Sequence, residues 1–156
     1  MSKNRTYKEF KQGIFKPVNK HKCLNTEFVV YRSSLELSVM LFLDKSDKVK
    51  KWGSETTVIP YFKEVEQRPA RYFIDFTITL ENNGKIETWL VEVKPEKETL
   101  PPTNARGTKK QSTIMYESMT WITNNNKWES AKKYAEKKGY KFVLMTDKNI
   151  HHLIGK

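Results

Sequence analysis

The apolar residues fall into short runs set between charged or Gly- and Pro-containing stretches, and their period changes along the chain. Residues 1–27 have little periodic apolar content and carry Gly13 and Pro17, so they read as an extended or irregular arm. Phe28-Val29-Val30-Tyr31 is a short apolar run in extended form. From Ser34 the spacing becomes helical. Leu35, Val39, Phe42 and Leu43 share a face, Ser33 and Ser34 offer an N-cap, and the pattern predicts a helix from about Ser34 to Lys45. Trp52-Gly53-Ser54 reads as a turn, Thr56–Phe62 as a strand that Pro60 confines to an edge or bulge, and Arg68–Ala70 as a loop. Over Arg71–Thr79 the residues alternate: Tyr72, Ile74, Phe76 and Ile78 on one face, Arg71, Phe73, Asp75, Thr77 and Thr79 on the other. Glu81–Lys85, with Asn83-Gly84 at its centre, is a hairpin turn, and Thr88–Lys94 is the returning strand.

Pro95–Pro102 continues neither a strand nor a helix and reads as a loop. Lys109–Thr123 has helical spacing in Met115, Met119 and Ile122, and Lys127–Lys138 reads as a second helix ended by Gly139. Tyr140–Met145 is a last buried strand, and Asp147 is placed to cap a short terminal helix. Helix, three strands, helices and a strand predict an α/β fold with a mixed sheet of about four strands flanked by helices. The domain reading is a basic arm over 1–27 and a single domain over 28–156.

Composition narrows the function classes. The chain has 156 residues, 37% of them hydrophobic, enough for one domain with a real core. Lys plus Arg number 29 against 18 Asp plus Glu, a net charge of +11, which points to a polyanionic partner and most simply to nucleic acid. The charge clusters in residues 1–22, around Arg106, Lys109 and Lys110, and over 127–141. No apolar run approaches the about 20 residues that span a bilayer, and the basic runs lack the apolar face of an interfacial helix, so no membrane partner is expected. The single cysteine, Cys23, makes no internal disulfide and fits a reducing compartment. No Gly-rich phosphate loop argues for an ATPase.

The candidate chemistry lies in Val91-Glu92-Val93-Lys94. Glu92 and Lys94, two residues apart on a strand, project from the same face. Counted outward from the Asn-Gly turn, Asp75 falls close to opposite Glu92. Two carboxylates facing each other across adjacent strands repel unless a cation lies between them, and a hard divalent ion suits oxygen ligands. Glu36, in the first turn of the apolar helix, supplies a third acid if that turn packs against the sheet edge. Ser33-x-x-Glu36 is also a capping box, in which the Glu bonds a backbone N–H. Three carboxylates and a lysine suit phosphodiester hydrolysis: a metal polarises the phosphate and activates water, and the lysine stabilises the charge that develops.

This pattern resembles the PD-(D/E)XK nuclease superfamily. Ile74-Asp75 stands in the "PD" place without its proline, Glu92-Val93-Lys94 matches "(D/E)XK", and Glu36 matches the glutamate of the first core helix. Tyr31–Glu36, Lys51-Trp52-Gly53-Ser54-Glu55, Arg71–Phe76 and Leu90–Pro95 are similar to the TnsA-type endonuclease domain, closest to the head completion nucleases of T-even-type tailed phages. Arg5-Thr6-Tyr7 and Gln12–Pro17 are similar to the opening of those phage proteins, and Pro101-Pro102 fits too.

The resemblance implies a restriction-endonuclease-like core and a Mg²⁺-dependent DNA nuclease, with Mn²⁺ as substitute. Glu36, Asp75 and Glu92 are the implied metal ligands and Lys94 the fourth catalytic residue. It further implies action in capsid maturation and head–tail joining, in the host cytoplasm and at the virion neck, with the portal or neck and other head completion proteins as partners. Glu55 and Gln111 are accessory candidates, and Arg32, Arg71, Lys97, Arg106, Lys109 and Lys110 are candidate phosphate contacts. Two other readings stand beside this one: a structural head–tail joining protein with a vestigial nuclease site, and a basic DNA-binding module without chemistry. A binder has no use for acids gathered against a phosphate backbone.

Overall fold

A computed structural model describes residues 12–26 and 28–153. Its centre is a four-stranded mixed sheet: β3 (Val49–Ser54), β6 (Phe76–Asn82), β7 (Lys85–Val93) and β8 (Lys141–Met145), in the order β3-β6-β7-β8. The first two pairings are antiparallel and β7–β8 is parallel. This is the mixed α/β sheet that the alternation predicts. Asn83 and Gly84 join β6 to β7 with φ of 53° and 81°, the two positive values that a tight two-residue hairpin demands.

Each face of the sheet is covered. Helix α1 (Ser34–Lys45) lays Val39, Met40 and Leu43 on Trp52, Phe76, Ile78, Trp89, Val91 and Met145. Ser33 caps it, its hydroxyl accepting from the Glu36 N–H at 3.1 Å. On the opposite face α2 (Gln111–Lys138) lays Trp128, Ala131 and Ala135 against Leu90 and the separate hairpin β4 (Val58–Lys63) and β5 (Arg68–Phe73). A short α3 (Ile150–Leu153) follows β8.

Several local expectations are corrected. Trp52-Gly53-Ser54 belongs to strand β3; Gly53 is there because a Cβ would meet Thr56 at 2.7 Å, a close approach rather than a turn. Arg68–Ala70 is strand, tolerated with Pro69 because a two-stranded ribbon has free edges. Tyr72, Ile74, Phe76 and Ile78 do not share one face. The chain breaks at Ile74-Asp75, and the first pair packs under α2 while the second packs under α1. The two expected helices are one. Asn124–Asn126 cost about 2 kcal/mol in helix propensity; burial of Trp128 and Ala131 offsets this, and Asn126 also serves the tertiary fold by exchanging hydrogen bonds with Glu64. Thr146, not Asp147, accepts the N–H groups of Lys148 and Asn149 before α3, while Asp147 accepts from the Glu96 N–H.

Part of the expected arm is folded. Residues 13–15 form β1 (Gly13–Phe15), paired with β2 (Val29–Tyr31), and Phe15 and Lys22 are buried. The arm reading over 1–11 lies outside the described residues.

Candidate active site

Strand β7 is central, so Leu90 to Val93 are buried on both faces. Glu92 therefore enters the interior with only 6% exposure, on the α2 side, while its neighbours Val91 and Val93 pack on the α1 side. Asp75 sits at the break between β5 and β6. Extending the Phe76–Val91 pairing by one residue places it opposite Glu92, and its Oδ2 accepts from the Val93 N–H at 2.8 Å. The break is held from behind: the Glu55 N–H donates to the Asp75 carbonyl at 3.1 Å, and the Ile74 N–H to the Thr57 carbonyl at 3.3 Å.

The carboxylates have few donors. Glu92 Oε1 accepts from the Tyr72 hydroxyl at 2.6 Å, and Glu92 Oε2 faces Lys94 Nζ at 3.6 Å. Burial pushes the Asp75 carboxyl up to about 8, and the neighbouring charges of Glu92 and Glu36 add to the effect against the Val93 N–H and Lys94. Burial, then Glu92, holds the Tyr72 phenol far above its ordinary value. Two carboxylates thus share one ion-paired lysine, Lys94, and their oxygen donors fit a hard divalent cation.

The sequence-derived residues divide into groups. Asp75, Glu92 and Lys94 come together. Glu36 lies near enough to raise Asp75, but its carboxylate accepts from the Arg32 N–H at 2.8 Å and stands 3.4 Å from the Ser33 hydroxyl, a variant of the capping box that takes the N–H one residue before the cap. Among the described residues no three acidic, His or Cys side chains stand in a ligating arrangement. The three-carboxylate metal set is therefore not assembled in these side-chain positions. Glu55 pairs with Arg32 at 2.9 Å and reaches Asp75 through its backbone, at a φ of 57°. Gln111 lies at the exposed start of α2, 16 residues or about 24 Å along the axis from Lys127, too far to orient anything at Glu92.

Of the candidate phosphate contacts, Lys109 is tied to Glu117 at 2.6 Å and to the Thr103 carbonyl. Arg71 lies over the Phe73 ring at 5.4 Å. Lys97, Arg106 and Lys110 are exposed and make no ion pair among the described residues.

Two residues at the site escaped the sequence reading. Tyr72 reads as core, yet a Tyr in a buried stripe needs a partner for its hydroxyl, and that need is the signal. Lys127 reads as one of a basic cluster, yet it stands four residues before the buried Ala131 and so on the helix face that meets the sheet. Its ammonium lies 5.4 Å from the Tyr72 ring centre. Burial lowers its pKa, with Glu92 and Asp75 attracting its charge and Lys94 and Lys63 opposing it.

Two comparisons bear on this geometry. The family model described as TnsA-like endonuclease N terminal matches residues 46–147, a span that takes in Asp75, Glu92 and Lys94. The chain is also similar to the head completion nuclease of Enterobacteria phage T4, 38% identical over 127 residues that cover 80% of this chain and 83% of the phage protein.

Proposed function

The chain belongs to the TnsA-like endonuclease family and is a nuclease resembling the phage head completion nucleases; from that premise we propose that it hydrolyses DNA phosphodiester bonds at Asp75, Glu92 and Lys94 with Mg²⁺, for which Mn²⁺ substitutes. The observation that carries this is half-buried Asp75 beside buried Glu92, two carboxylates that share one ion-paired lysine, Lys94. Asp75 and Glu92 would hold the cation, and Glu36 would complete the set once released from its contacts with Arg32 and Ser33. When bound, the cation lowers the pKa of water and polarises the phosphate. Lys94 stabilises the charge that gathers on the phosphate oxygens as water attacks. The new bond joins the water oxygen to phosphorus, and the P–O ester bond breaks. Its electron pair stays with the departing sugar oxygen, which takes up a proton. Tyr72 fixes the Glu92 carboxylate. The Glu55 and Val93 backbone N–H groups fix Asp75 from two sides.

The substrate is DNA, reached through the net charge of +11. No base-reading element is evident, so little sequence specificity is expected. By likeness to the phage protein, the work is done during head completion in the host cytoplasm, with the portal or neck and other head completion proteins as partners.

Digestion of supercoiled and linear DNA in Mg²⁺ or Mn²⁺, with an EDTA control and D75A and K94A, tests the proposal. Cation-dependent cleavage lost in both variants supports it; cleavage that survives in K94A and D75A overturns it. One observation favours a second reading, a head–tail joining protein with a vestigial site: Glu36 is engaged at its own helix start. Particle assembly that K94A supports fully, alongside a wild type that never cleaves, is the outcome of that reading.

A further inference from the structure

Lys127 is set apart from the other lysines of α2. Lys132, Lys133, Lys137 and Lys138 are exposed, whereas Lys127 is half-buried on the face that meets the sheet. Its ammonium lies over the Tyr72 ring at 5.4 Å, and that ring's hydroxyl is 2.6 Å from Glu92 Oε1. Lys94 approaches the other oxygen of the same carboxylate at 3.6 Å. Two lysines from different elements thus flank one carboxylate. Among the described residues Lys127 makes no ion pair and donates no hydrogen bond, although Glu92 and Asp75 are near enough to act on its charge. A cation–π contact from a half-buried lysine stabilises by only about 0.5–2 kcal/mol. Aliphatic residues would cover Tyr72 without the cost of desolvating an ammonium.

We propose that Lys127 is a substrate-contacting residue of the nuclease site, its ammonium binding a DNA phosphate oxygen beside Glu92 and Lys94. The proposal rests on the nuclease reading above. With the carboxylates committed to a cation, both lysines are available to the incoming phosphate, one from just past the end of β7 and one from α2. The Tyr72 ring holds the Lys127 ammonium beside the Glu92 carboxylate, where a phosphate oxygen can reach it. Lys127 needs no hydrogen bond within the protein, because the phosphate supplies the acceptor.

The test uses the full chain as wild type, K127M, K127R and K133M, the last from the exposed side of α2. DNA binding is measured against salt in Ca²⁺ and in EDTA, and single-turnover cleavage in Mg²⁺. K127M is expected to lower the slope of log K against log salt by about 1, the signature of one lost phosphate contact. It is expected to slow cleavage by at least about 10-fold, in line with a lost charge-stabilising donor. K127R is expected to restore most of both, and K133M to lower the slope by less than K127M does and to leave the cleavage rate unchanged. A melting curve for K127M shows that it is folded. A K127M slope and rate equal to wild type overturn the proposal, as does an equal loss in K133M. The nuclease reading fails separately: a wild type that never cleaves while K127M still loses its phosphate contact ends the enzymatic account and keeps Lys127 as a DNA contact.

Discussion

Two acidic sites in this protein, Asp44 and the Asp75–Glu92 pair, have opposite surroundings. Asp44, near the end of α1, is 2% exposed, and each of its carboxylate oxygens accepts a backbone N–H, from Val18 at 3.0 Å and Asn19 at 2.9 Å. Its own carbonyl accepts from the Asn19 side chain and from buried Lys22, which also donates to the Ser46 carbonyl. Asp44 is therefore a fastening that ties the segment before β2 to the core. Asp75, half-buried, and Glu92, buried, lie beside each other with one N–H, one hydroxyl and one ammonium, 3.6 Å from Glu92, between them. A buried charge supplied with donors holds structure; a buried pair left short of positive charge is a place for something else to bind.

The sharpest way to break this contrast is to exchange the phenotypes. D75N and K94A are expected to lose at least about 10²-fold in cleavage, D75N while melting no lower than wild type, read by digestion and calorimetry on the same samples. D44A is expected to do the reverse. It leaves two N–H donors without an acceptor and costs about 3 kcal/mol, hence about 10 °C in melting temperature, with cleavage per folded molecule retained.

Y72F sharpens the contrast within the site. Removing the hydroxyl frees Glu92 to turn, and a loss of about 10–100-fold in cleavage or cation affinity is expected, with DNA binding in EDTA unchanged. The pH dependence is a further discriminator. The Asp75 carboxyl is held above its unfolded value, so its stabilising share is fully present below pH about 4 and is lost as pH rises toward about 8. Without divalent cation the stability of the wild type is expected to fall over that window, and D75N is expected to flatten the fall, as followed by urea melts at several pH values. The smallest effect belongs to the far end of the same hairpin. G84A, at a φ of 81°, is expected to cost about 1 kcal/mol with cleavage unaltered.

Much of the fold was legible where local chemistry speaks alone. Ser33 and the apolar face gave α1 its bounds, and Asn83-Gly84 set the register that brings Asp75 opposite Glu92. What escaped depends on tertiary contacts. Trp52-Gly53-Ser54 looks like a turn until Thr56 and strand β6 are in place. The break at Ile74-Asp75 interrupts an unbroken alternation, because the two halves of that run serve different cores. Asn124–Asn126 look like a boundary until Glu64 reaches Asn126. At the site, the acids and Lys94 could be read from one hairpin, whereas Tyr72 and Lys127 come from other elements. Glu36 was readable in two ways, and these side-chain positions have it as a cap.

The account turns on whether Asp75 and Glu92 are a pair in want of a cation. Thermal unfolding of wild type and D75N at pH 8, each with and without Mn²⁺, measures this directly. The account expects D75N to melt above the wild type without Mn²⁺, and Mn²⁺ to raise the wild type alone. A D75N variant that melts lower, or that gains as much from Mn²⁺ as the wild type does, would contradict it.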